Sequence, residues 1–572
     1  MIKILNKKTI SSFLSMMKGH PFITAAFICF ACLPLTGEKL TPLAPLISGM
    51  ILFCICSVFS IYISENTAEK SRKSMRICLI IISAVLSALF GYMLSCASSP
   101  GLVVLNAGLA FIAAAAGYFI ASRKIDTQKT ILLIFIAAVI FRLAYIMVIS
   151  IKIKQHDVYS LKEMKGHLGY IGYLVFHNAL PDIDVRTVNQ FYHPPLHHII
   201  SAMWVKFQNG IGISADNLWE NIQVLTMFYS CCCMIISYKI FRQLGLEGKG
   251  LVIAFAITAF CPTFIIMSGS INNDMLCLTL MLAAVLNTLY WYKSRSFGRI
   301  MCIAVSVGCA MMAKLSGWMV APAIAAVFIY VFFKEIKSWK KYLTQFAAFI
   351  TVCAPLGLWW GVRNYITHEV PITYIWELSE RSGQYVGDIP VLQRLFDFNP
   401  SQFRDIGDQF TQYGGAYNEY NPLIALFKTS VFDETFTKSF YPSVAGIDNI
   451  LFWSAVILGL VGFASMIYSF IRDKKLSFIH KLFIGLLYVV ILASYFIFCI
   501  KFPQVCTENI RYAVPVIVVG AYFVGRLVMN MLSSSNSKTH TARLCGISVI
   551  ISVTVIYCLM SLTFFDTVFI TK

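Results

Sequence analysis

Charge is what this sequence has least of. Only 13% of its 572 residues are Asp, Glu, Lys or Arg, and acids are the scarcer sign, 27 against 46 Lys and Arg. At the same time 58% are hydrophobic, far more than one soluble core takes up, so an ordinary soluble domain is excluded. The eighteen cysteines lack any metal-ligand spacing. Most lie in apolar runs such as Cys231-Cys232-Cys233, where a thiol packs as a small hydrophobe. Cys96 and Cys506 fall in outer loops, and nothing pairs them. The N-terminal stretch 21–35 follows a basic start without a small-residue cleavage site, and it reads as an uncleaved first span. No internal repeat is visible.

What is present is length without polarity. Apolar runs of about 18 or more residues, enough to cross a hydrocarbon layer of roughly 30 Å, recur along the chain. Alternating its basic connections predicts spans at 20–37, 43–64, 77–96, 101–121, 129–150, 219–242, 250–268, 274–292, 298–313, 316–334, 342–361, 450–471, 480–500, 510–531 and 543–564. The fold class is all-α, a multi-pass membrane protein of about 15 transmembrane helices. It has two long extracytoplasmic loops carrying short interfacial helices.

The net charge of +19 sits in runs at span ends: Lys70, Arg72, Lys73 and Arg76; Lys334, Lys337, Lys340 and Lys341; Arg472, Lys474 and Lys475. Such runs mark cytoplasmic loops. They do not form the folded basic face that a duplex needs, so no nucleic acid is expected as a partner. The N-terminus is then cytoplasmic. Residues 194–207 are apolar but too short to span, and they read as an interfacial or re-entrant helix on the outer face. Four blocks follow: four spans over 1–128, a core over 129–361 with the first outer loop at 151–218, a large outer loop over 362–449, and closing spans over 450–572. The stretch 421–436 is expected to be an amphipathic interfacial helix.

Function is sought on the two long loops, because the other connections are short. Six of the ten histidines fall between 156 and 198. His156, His167, Tyr170, His193 and His197 are therefore candidate substrate-binding residues, with anchoring at the headgroups as the plainer role. Asp157, a carboxylate just beyond a span, is placed to accept a proton from an incoming hydroxyl or amide. Asp274 opens a helix after the turn Ser268-Gly269-Ser270-Ile271-Asn272-Asn273. There it either caps the helix or joins Asp157 in holding a cation. Outer basic residues are rare. Lys314, Arg363 and Arg511, the last beside Tyr512, are candidates to meet a phosphate, with snorkelling as the alternative.

These motifs, in this order, resemble the GT-C class of membrane glycosyltransferases, nearest the protein O-mannosyltransferase and aminoarabinose-transferase branch (glycosyltransferase family thirty-nine and kin). The resemblance rests on His156-Asp157, on His193-Pro194-Pro195-Leu196, on the turn from Ser268 to Asp274 and on Arg511-Tyr512. It covers roughly 129–531. It implies an inverting transferase that moves a hexosyl or pentosyl group from a polyprenyl-phosphate sugar to a protein, glycan or lipid acceptor. Asp157 takes the base position, the active site is extracytoplasmic and the location is the cell membrane. Some members of the class need a divalent metal (Mg, Mn or Zn), for which Asp157 and Asp274 are the candidate ligands. Two departures stand out. Val158 follows Asp157 where an Asp-Glu pair is common, and His197-His198 replaces the Lys that often follows the HPPL motif. A transporter or flippase, or a glycan polymerase or ligase, are the other readings.

Overall fold

A computed structural model describes residues 19–37, 40, 43–65, 69–152, 155–158, 160–399, 403, 406, 420–433, 444, 446–534 and 540–570. Among them the chain is helical, with a single isolated bridge pairing Tyr385 and Gln504. Twelve helices are long and apolar enough to cross a membrane, and a bent pair makes a thirteenth. Two further expected spans are helices too, but shorter: Pro21–Leu35 and Phe297–Ala313. Proline at the first turn starts many of these helices, as at Pro100, Pro422 and Pro515, where its missing N–H has no helical partner to lose.

The bent pair corrects one expectation. Residues 250–268 do not run straight but divide into Gly248–Ala259 and Pro262–Gly269, inclined by 44°. Pro262 cannot donate to the preceding turn, so carbonyls are left over at the break. Arg142, from the helix Thr127–Val148, fills that gap. It is fully buried and donates from Nη1 to the carbonyls of Ala259 (2.9 Å) and Ala138 (3.0 Å), and from Nε to Ser230 Oγ (2.8 Å). Within 421–436 a helix is found at Pro422–Phe432, most of it buried against the core; residues 434–436 lie outside the described residues. The short helix expected at 194–207 is found as Leu196–Gly210, packed on Gly166–His177.

The connections sort to two ends. At one end the basic turns meet: Arg295 with Glu335 (3.2 Å), Lys293 with Gln243 (2.7 Å), Asp473 with Arg526 (2.8 Å) and Asn530 (2.9 Å). At the other end gather the loops after Val148, Gly269, Ala313, Phe432 and Lys501. The helices Ile222–Gln243 and Asp274–Ser294 stand enclosed between them, while the hairpin Ala44–Glu65 with Glu69–Cys96 lies outermost.

Candidate active site

The first long loop is held down before it reaches its acid. Glu220 accepts from Ser150 Oγ (2.6 Å) and the Ile151 N–H (3.0 Å). Gln155 then bridges to the turn ahead of Asp274, donating to the Gly269 carbonyl (2.8 Å) and accepting from the Ile271 N–H (3.3 Å). Asp157 follows with φ +57°, a left-handed conformation uncommon for a residue with a side chain. The turn is used: the Asp157 and Val158 carbonyls accept from the His167 and Leu168 N–H groups (2.9 and 3.2 Å), capping the helix Gly166–His177.

Four charges from distant parts of the chain converge here. Arg511 Nη1 lies 3.3 Å from Asp157 Oδ2 and 3.8 Å from Asp274 Oδ2. Lys314 Nζ is bonded to Asp274 Oδ1. The Tyr512 ring lies under both cations, with centroid distances of 4.9 Å to each. Asn509 Oδ1 accepts the Arg511 N–H at 2.9 Å and fixes the short turn that carries the guanidinium. Burial is the largest influence on Asp157 and works to raise its pKa, but Arg511, with His167 and His156 after it, together hold the carboxyl below its ordinary range. Asp157 keeps 31% of its side chain exposed, against 5% for Asp274, so it is the more open of the two carboxylates.

Another carboxylate, Asp433, borders a small cleft next to this cluster, with His156, Asn272, Asp274, Asn509 and Arg511 also in its walls and Asp157 not among them. Asp433 accepts from Asn509 Nδ2 through Oδ1 and bonds His156 Nε2 through Oδ2, each at 2.7 Å. Its burial alone would raise its pKa; His156, then Asn509, keep it lowered.

The histidines turn out to be walls rather than charges. His167 Nδ1 and His198 Nε2 share a hydrogen bond of 2.9 Å, and the His193 ring stacks on His167 at 5.4 Å. Burial lowers His167 to about 3 and His197 to about 4, and drives His193 and His198 well below the usual range. All four are therefore neutral near pH 7. His197 Nε2 donates to the Ile271 carbonyl (2.8 Å) and so braces the turn before Asp274. Tyr170 is fully buried between Phe191 (4.6 Å) and His198 (4.1 Å), a packing position behind the site. Arg363 also stands apart: it binds the Pro181 carbonyl (2.8 Å) and Asp182 (3.2 Å) and lies over Trp360 (4.8 Å).

The structure thus joins His156, Asp157, Asp274, Lys314, Arg511 and Tyr512, with His167 and His193 close behind. It leaves Arg363, Tyr170 and His197 outside this cluster. Asp433, Asn509 and Tyr192 were not singled out by the sequence. Tyr192 faces Asp157 and Arg511, and burial, with Asp157 next, raises its hydroxyl pKa.

A divalent cation fits this donor set poorly. The space between Asp157 and Asp274 is taken by the Arg511 guanidinium, Lys314 neutralises the second carboxylate, and no group of three or more His, Cys, Asp or Glu is gathered for a metal among the described residues.

Residues 193–359 match the family model described as dolichyl-phosphate-mannose-protein mannosyltransferase. Over this segment the chain resembles those mannosyltransferases. The match begins at the His-Pro-Pro-Leu motif and takes in Asp274 and Lys314, which bears out the GT-C resemblance read from the sequence. Asp157, Asp433 and Arg511 lie outside the mannosyltransferase-like segment, although they meet it in space. No curated protein matches the chain. Among solved structures it is similar to the archaeal oligosaccharyltransferase AglB from Archaeoglobus fulgidus in complex with an inhibitory peptide and a dolichol-phosphate. That likeness has 12% identity and a TM-score of 0.44, and covers 76% of this chain and 56% of that one. An apo form of the Archaeoglobus fulgidus oligosaccharyltransferase gives 14% and 0.39, covering 75% of this chain and 56% of that one. ArnT from Cupriavidus metallidurans gives 14% and 0.30, covering 64% and 73%. The chain spans little more than half of the oligosaccharyltransferases' length, and likenesses this distant fix neither donor nor acceptor.

Proposed function

We propose that this protein is an inverting membrane glycosyltransferase, moving a sugar from a polyprenyl-phosphate carrier to an acceptor at the extracytoplasmic face. The observation that carries the reading is the Asp157–Arg511–Asp274–Lys314 cluster: one partly open carboxylate beside two clustered cations, at the end of the bundle opposite the basic loops. Asp157 takes the proton of the acceptor nucleophile. The nucleophile attacks the anomeric carbon from the face opposite the phosphate, and the bond from that carbon to the phosphate oxygen breaks. The departing lipid phosphate keeps the electron pair, and Arg511 and Lys314 meet the charge where it grows. Arg363 is engaged instead by the Pro181 carbonyl and Asp182.

The resting salt bridge gives the donor a second effect. A phosphate bound by Arg511 competes with Asp157 for the guanidinium, so donor binding frees the carboxylate to act as base. The test is Asp157→Asn in purified protein given a polyprenyl-phosphate sugar. Turnover is expected to fall by about 10²–10⁴-fold, the range of general-base catalysis; unchanged turnover sinks the assignment.

One observation favours a second reading, transport. Arg142 is a buried charge within a span beside a Pro-broken helix, a combination found in transporters. Its hydrogen bonds run to the break itself, which accounts for it structurally. Uptake into proteoliposomes without sugar transfer would select transport.

A further inference from the structure

Two loops far apart in sequence must stay in register for the proposed chemistry: the one carrying Asp157 and the one carrying Arg511. A direct contact of 3.3 Å joins the two side chains. That contact is the one a phosphate would disturb, so it cannot hold the loops together during turnover.

Asp433 supplies a link that a phosphate would leave alone. One of its oxygens is bonded to His156, the residue before Asp157, and the other takes Asn509, whose own side-chain oxygen accepts the Arg511 N–H. The helix ahead of it is tied to the same turn, since Thr429 Oγ1 accepts the Ile510 N–H at 2.9 Å. Thr263 anchors that helix from the other side by donating to the Ser430 carbonyl (2.8 Å).

The backbone of Asp433 points the same way. Its φ is +54° and ψ −162°, a region almost confined to glycine. A helix end that only had to turn the chain would be less strained with glycine. The strained aspartate is accounted for by what its two oxygens hold.

We propose that Asp433 is a positioning residue that keeps the proton acceptor and the phosphate-binding arginine in register, one carboxylate oxygen for each loop. This rests on the glycosyltransferase reading, because it assigns Arg511 to a lipid phosphate. It assigns Asp433 no proton transfer.

The experiment is a double-mutant cycle on the full chain in nanodiscs, with farnesyl phosphate as the probe. Asp433→Gly is the variant to use, since glycine adopts this backbone freely and the carboxylate alone is removed. It is expected to weaken farnesyl phosphate binding about tenfold, the worth of one lost hydrogen bond to a charged group. In an Arg511→Ala background the same change is expected to alter binding less than twofold, because no guanidinium is left to misplace. Asp433→Asn keeps the shape and one accepting oxygen; it should fall between, and it carries the test if the glycine variant does not fold. An equal loss in both backgrounds, or none in either while Arg511→Ala still weakens binding, overturns the clamp. If Arg511→Ala leaves farnesyl phosphate binding unchanged, the phosphate reading fails first and the clamp falls with it.

Discussion

Arg511 stands between two carboxylates, and its position sets the state of the one that is open. Because its charge, joined by His167 and His156, more than offsets burial at Asp157, that carboxyl is ionised down to a pH below the ordinary carboxylate range. For a depressed pKa the base is present above it and lost as pH falls through it. The acid limb of kcat/KM, which reports the donor-free enzyme, should therefore lie below about pH 4. Removing the guanidinium takes away the largest influence that opposes burial, so in Arg511→Ala the limb of the residual activity should move to higher pH. A limb that stays put would remove Asp157 from that role. Arg511→Lys tests geometry as well as charge. A lysine is a compact point charge and does not offer a planar fork, so donor affinity should drop by about tenfold or more although the net charge is kept.

Between elements, a close approach of backbone to backbone lies toward the end that carries the basic turns. The helix Gly248–Ala259 meets the helix Pro515–Ser533 at Gly250 and Gly525, where a Cβ on Gly250 would come within 2.4 Å of the Gly525 carbonyl oxygen. Small residues let membrane helices approach this closely. Gly525→Ala should push the pair apart and destabilise the protein by roughly 1–3 kcal/mol, the range for overpacking. Gly520→Ala, with open space around its Cβ, should unfold with the wild type in the same thermal assay. The break at the other end of the helix Gly248–Ala259 depends on Arg142. With Arg142→Met the Ala259 carbonyl loses a buried donor. A destabilisation of about 1–3 kcal/mol is expected, with donor affinity unchanged if Arg142 serves only the helix break.

The whole molecule is a bundle whose polar residues gather at two ends, and the two ends face different compartments in the proposed function. A cysteine at the exposed position Lys165, beside the site, should react with a membrane-impermeant thiol reagent in intact cells. One at the exposed position Lys474 should react only after permeabilisation. The reverse pattern would turn the site to the cytosol. This bundle was largely legible beforehand, because a run of apolar residues long enough for a bilayer has few other uses and the basic turns alternate without conflict. The break at Pro262 was less visible, since the apolar run continues straight through it.

The site was legible in part. Clustered histidines led to the loop that carries Asp157, yet most of them form its neutral walls. His197 and Tyr170 look like ligands in a string of letters and are packing residues in space, because burial removes the charge of one and stacking occupies the other. Arg363 is an outer arginine like Arg511, but its helix aims it at Asp182. Asp433 lay in a stretch read as interfacial, and its partner His156 is 277 positions away.

Composition, apolar run length and the placement of Lys and Arg determined from the sequence alone that the chain spans a membrane many times. They also pointed the proposed chemistry to the loops, because those signals are local and the bilayer reads them one segment at a time. Which of the loop residues meet was decided only in the tertiary structure, because the rotation and tilt of packed helices choose whether an arginine lands on Asp157 or on Asp182, and no spacing along the chain records that choice.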